Sequence, residues 1–160
     1  MSPQQRRYLL IEQGIGAGVF NVLLNAAIAW LMFRGATTVP LWGQPSIGGD
    51  TIGTAFVLPL LTTLIASRIV RRHARTGHVP AMAWPGGVLG FMPRGLAARG
   101  AILGVAGIVV AGIPTTQALA AAGVEQMSLG GFVAFKALFA GGLATVVTPV
   151  VARLALADAR

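Results

Sequence analysis

From Gln13 to Phe33 no residue carries a charge, and the same is true from Thr51 to Ser67 and from Gly100 to Val124. From Ser128 to Ala152 the only interruption is Lys136. An α-helix advances about 1.5 Å per residue, so about 20 apolar residues cross a hydrocarbon layer about 30 Å thick. The second run is slightly short alone but continues through Ile69 and Val70 if Arg68 snorkels toward the headgroups. A transmembrane β-barrel would need alternating segments of about 10 residues, and these runs do not alternate. The predicted fold is an all-α membrane protein: a single membrane domain over residues 1–160 forming a four-transmembrane-helix bundle. Its spans lie at about 8–33, 51–70, 100–124 and 128–156, with a long inner loop over 71–99. Composition agrees, since 10% of residues are charged against about 25% in soluble domains.

The arginines orient the chain. Arg6 and Arg7 precede the first span; Arg71, Arg72, Arg75, Arg94 and Arg99 lie between the second and third; Arg153 and Arg160 close the chain. The other two connections are poor in positive charge, so the positive-inside rule predicts both termini and the 71–99 loop to be cytoplasmic. Glu12 stands where a signal peptide would have an uninterrupted apolar core, so the first span is expected to be retained. Eleven of the twelve basic residues are arginine, a composition associated with GC-rich bacterial genomes, and the expected location is a bacterial inner membrane.

The connections differ in character. GATTVPLWGQPSIGGD is rich in glycine and proline, which favours a compact irregular segment. The inner loop is basic in RRHARTGH and apolar in AMAWPGGVLGFMPRG; the latter is too short to span. It is expected to lie in the interface or beneath the bundle, with Trp84, Leu89, Phe91 and Met92 against lipid or protein.

Within the spans, polar and small residues mark what must face protein. Gly14, Gly18, Asn21 and Asn25 recur at helical spacing, so one stripe carries two glycines and then two amides. Glycines let helices approach closely, and buried amides hydrogen-bond across the contact or line a polar path. Gly100, Gly104 and Gly107 form a second helix-packing stripe. Near Pro114, Gln117 is a further candidate lining residue, because a proline frees a carbonyl that polar groups must satisfy.

Lys136 is the only lysine, about two turns inside the fourth span. A charge at the centre of a bilayer costs at least about 2.5 kcal/mol, so a partner is expected: Asp50, Glu125, Asn25, Thr54 and Gln117 all belong to the same half of the membrane. Snorkelling and a ligand-binding role are the other readings. Glu12 is a further candidate ion-pair partner, for Arg7 or Arg68. Its place in the first helix resembles the membrane carboxylate of the small multidrug transporters, but the long basic loop and Lys136 depart from that family, and the likeness stops at Glu12. Arg68, Arg71, Arg72 and Arg75 are expected to meet anionic lipid headgroups at the cytoplasmic face, with no nucleic acid needed to explain them.

The absence of cysteine excludes thiolate chemistry and disulfides. His73 and His78 lack a nearby carboxylate, so no metal site is expected, nor any cofactor. No HExxH, phosphate-binding glycine loop or Ser-His-Asp set is present, which speaks against an enzyme. The expected function is a permease-like or channel-like protein handling a small solute, ion or lipid-like molecule, with Asn21, Asn25, Gln117 and Lys136 as candidate lining. The alternative is a non-transporting accessory or assembly subunit. In either case four short spans bury little surface, so a homo-oligomer or larger membrane complex is expected.

Overall fold

A computed structural model describes residues 1–160. The chain forms four helices long and apolar enough to cross a membrane: α1 (Pro3–Phe33), α2 (Ile47–Arg75), α3 (Leu96–Ala121) and α4 (Leu129–Asp158). Their ends are set by local interactions. Ser2 caps α1 by accepting from Gln5 N at 3.2 Å while the Gln5 side chain accepts from Ser2 N at 2.8 Å, and Pro3 fills the first helical position, where its missing N–H costs nothing. Ser46 and Ser128 cap α2 and α4 by accepting from Gly49 N and Gly131 N, each at 3.2 Å. The basic last turn of α2, with Arg72, His73 and Arg75, lies at the negative end of the helix dipole.

Two helices contain π-helical turns. In α3 these cover Ile108–Gly112, directly before Pro114, whose ring and missing N–H disrupt regular α geometry. The Thr116 hydroxyl donates to the carbonyls of Gly112 and Ile113 at 3.1 and 2.9 Å, satisfying groups that lipid cannot. In α1 the π turns cover Tyr8–Gly16, the stretch that carries Glu12 and Gln13.

The helices form an open bundle rather than a closed ring. α4 packs against both α1 and α2, and α3 packs on the far side of α2, while α1 and α2 barely meet. The close approaches are made at glycines. A β-carbon on Gly18 would stand 2.1 Å from Thr145 Oγ1 of α4, and one on Gly107 would stand 2.2 Å from the Ala55 carbonyl oxygen of α2. Gly14 faces Thr145 and Pro149, and Gly100 and Gly104 lie against Leu60 and Phe56.

At one end the 34–46 and 122–128 connections pair. β1 (Thr38–Pro40) runs antiparallel to β2 (Gln126–Ser128), with Val39 opposite Met127, and Leu41 N donates to Glu125 O at 2.7 Å. The expected irregular segment is thus partly a β-ladder. Below it Ala29, Phe33, Val39, Leu41, Ile47 and Phe132 form a buried cluster, with the Phe33 and Phe132 rings edge to face at 4.7 Å.

The opposite end gathers both termini and the inner loop. Gln5 Nε2 donates to the carbonyls of Pro80 and Ala81 at 3.1 and 3.3 Å, and Met82 N donates to Leu156 O at 3.2 Å. Val79 and Met82 are buried with Tyr8, Leu9, Val70 and Leu156, so this part of the loop packs beneath the bundle. Beyond it a 3-10 turn, Gly87–Phe91, leaves Val88 81% and Phe91 92% exposed. Trp84 lies behind this tip, its ring 5.5 Å from the Arg94 guanidinium and 5.7 Å from that of Arg99.

Two charges placed outside the spans by the sequence reading belong to the helices. Arg99 lies in the first turns of α3 and is fully buried, and Asp158 is the last residue of α4. Asp158 Oδ2 accepts from Arg99 Nη1 at 2.8 Å and from Arg71 Nη2 at 2.6 Å, and Oδ1 accepts from Arg99 Nη2 at 3.1 Å. Arg99 Nε donates to Pro93 O at 2.9 Å. One carboxylate therefore joins α2, α3 and α4.

Candidate functional site

Because α1 and α2 both lean on α4 without closing on each other, a groove of about 570 Å³ remains between them. α4 is its floor, and Leu24, Leu61 and Ile65 stand exposed along its rims. On α1 its lining runs from Glu12 to Ile28, roughly 24 Å at about 1.5 Å per residue. That is most of a hydrocarbon core of about 30 Å. The volume falls within the roughly 300–1,000 Å³ of small-molecule sites.

The walls are apolar with polar groups at intervals. Phe20, Leu24, Val57, Leu58, Leu61 and Ile65 are among the apolar lining. Along α1, Gln13, Ala17, Asn21 and Asn25 follow one another at one helical turn. Asn25 Nδ2 donates to the Asn21 carbonyl and side-chain oxygens at 3.1 and 3.3 Å, and Asn21 Nδ2 donates to Ala17 O at 2.9 Å. Across the groove stand Thr54 and Thr62 of α2, and on the floor Thr148, whose buried hydroxyl has no hydrogen-bond partner.

At the β-ladder end of the groove Lys136 Nζ donates to Asp50 Oδ1. The side chains are 5% and 12% exposed. Asp50 lies in the first turn of α2, where the positive end of the helix dipole favours a carboxylate. Lys136 enters from α4 two turns below its cap. Each charge thus finds the compensation that a low-dielectric site demands.

No protein-family model, characterised protein or solved structure matches the chain. The groove is read from its own geometry.

Of the residues singled out in the sequence, Asn21, Asn25, Lys136, Asp50 and Glu12 line this groove, Glu12 at the end opposite Lys136. Glu12 is exposed and pairs with neither Arg7 nor Arg68. Gln117 is a correction: it is exposed on α3 and absent from the lining, because α3 packs behind α2 and cannot reach the groove. Glu125 is another, since it is exposed beside the β-ladder and makes no ion pair. The stripe Gly14, Gly18, Asn21, Asn25 divides, the glycines meeting α4 and the amides turning to the groove. Among the basic cluster, Arg68, Arg72 and Arg75 are exposed, whereas Arg71 is held by Asp158. The Arg71–Asp158–Arg99 cluster was not foreseen from the sequence. Its signal was an acid at the end of an apolar run, on the side that collects arginines.

Proposed function

We propose that the protein binds a lipid-like amphiphile in the α1–α2 groove and lets its polar head pass along the groove between the two faces of the membrane. The supporting observation is the groove itself: as long as most of a hydrocarbon core, apolar in its walls, open along one side and carrying the Lys136–Asp50 pair at one end. A chain lies against Leu24, Leu61 and Ile65 while the head meets successive polar groups, so the cost of taking the head out of water is offset at each step. A water-filled channel fits less well, since most of the lining is hydrocarbon.

In this reading the end that gathers the termini faces the cytoplasm, as the arginines direct, and the membrane is the bacterial inner membrane. Arg68, Arg72 and Arg75 meet anionic headgroups there. Self-association covers part of the outer helix surface.

Reconstitution tests the function. In liposomes holding a trace of fluorescent lipid, the purified protein is expected to let an impermeant quencher bleach label from the inner leaflet. Lys136→Met and Asn21→Leu should each slow this at least about tenfold, equivalent to about 1.4 kcal/mol, with insertion unchanged. Absence of flux, together with stoichiometric co-purification of a larger membrane complex, would instead establish the accessory-subunit reading.

A further inference from the structure

The Lys136–Asp50 pair leaves hydrogen-bonding capacity unused on both partners, at the wall of the groove. An ammonium has three donors, and Nζ makes one hydrogen bond, to Asp50 Oδ1. Asp50 Oδ2 accepts from no donor of the chain. The two side chains are mostly buried, both line the groove, and Asp50 Oδ2 is accessible rather than sealed within the protein. Buried polar groups are costly without partners. An occupant of the groove at this level is therefore matched if it brings an acceptor for Nζ and a donor for Oδ2.

Charge narrows the choice. The pair sums to zero, and Glu12, the third charged group on the groove, stands at its opposite end. An anionic head placed on Nζ would also lie beside the Asp50 carboxylate, and a cationic head placed on Asp50 would lie beside the ammonium. Either would carry an uncompensated charge into a largely dry site. A hydroxyl carries no charge and both donates and accepts through one atom.

We infer that the groove selects an amphiphile with an uncharged, hydroxyl-bearing head, such as a long-chain alcohol, and discriminates against the same chain ending in phosphate or amine. This rests on the reading of the groove as an amphiphile site. The head accepts from Lys136 Nζ and donates to Asp50 Oδ2, leaving the ion pair intact.

The test uses the full chain in phosphatidylcholine nanodiscs, with hexadecanol, hexadecyl phosphate and hexadecylamine offered at equal loading and retention read by native mass spectrometry. Hexadecanol is expected to be retained at least about tenfold more than either charged analogue, a difference of about 1.4 kcal/mol. Asp50→Asn leaves the ammonium unmatched and should invert the order toward hexadecyl phosphate; Lys136→Gln should invert it toward hexadecylamine. The exchange Asp50→Lys with Lys136→Asp keeps the site neutral and should keep the alcohol preference, which covers single variants that fail to insert. The wild-type comparison needs no variant at all. Equal retention, a preference for either charged chain, or single variants that keep the wild-type order would overturn the head-group inference while the groove reading stands, provided Leu61→Trp blocks all three chains. If no chain is retained, or Leu61→Trp changes nothing, the groove reading itself fails.

Discussion

Asp158→Ala is expected to destabilise the folded protein by about 3–5 kcal/mol, the usual cost of stripping one partner from a buried ion pair. The change leaves Arg99 fully buried with its two terminal nitrogens unpaired, and it also releases Arg71. Exposed ion pairs are worth only about 0–1 kcal/mol, so the size of the loss reports burial. A thermal melt in detergent, followed by circular dichroism, measures it. Replacing both charges with apolar groups, Arg99→Met with Asp158→Leu, should recover most of the loss, because the fully buried ion is then gone and the Arg71 side chain, 27% exposed, is left to solvent. Recovery falls short of complete, since the Pro93 carbonyl loses the hydrogen bond it accepts from Arg99 Nε. A melt unchanged by Asp158→Ala would mean that the three helices are held by packing alone.

Gly107→Val is expected to cost about 3 kcal/mol or more, at the upper end of ordinary overpacking. The added β-carbon would meet the Ala55 carbonyl oxygen at 2.2 Å, and a helix backbone cannot move aside as a flexible side chain can. α3 must then separate from α2, losing the contacts at Gly100 and Gly104 as well. Gly142→Val serves as the control, because a β-carbon there meets nothing within 4 Å. Loss of the folded form in the first variant and its retention in the second, compared by melting midpoint, separates helix contact from the general effect of a larger residue.

The two stripes of small residues illustrate how much a one-dimensional pattern conveys. Glycine at helical spacing marks a place where a neighbour comes near, and it does so whichever neighbour that is. Gly107 carries no indication that its neighbour is Ala55, nor Gly18 that its neighbour is Thr145. The stripe on α1 also reads as one face when drawn on a regular helix. The glycines at its start lie against α4, while the asparagines that follow line the groove.

Lys136 shows the same division at the site. Its isolation in an apolar run announces that it needs compensation, and depth in the membrane limits the candidates to groups near the same surface. Asp50 becomes the partner because α2 lies beside α4, while Gln117 fails because α3 lies behind α2 and Glu125 because it stays exposed beside the β-ladder. Arg99 and Asp158 mark the boundary of such reasoning. Counting only apolar length leaves Arg99 in the loop before the third span and Asp158 beyond the fourth, whereas mutual neutralisation allows both to sit within the helices.

That this chain forms four helices long and apolar enough to cross a membrane follows from its residues alone, because the free energy of moving a segment from water to hydrocarbon is nearly a sum over its side chains and needs no knowledge of neighbours. The order α1–α4–α2–α3, the groove which that order leaves open, and the pairing of Lys136 with Asp50 arise only on assembly. They depend on how surfaces far apart in the chain fit one another, and within a membrane every helix surface is similarly apolar, so shape and a few buried charges select the neighbours.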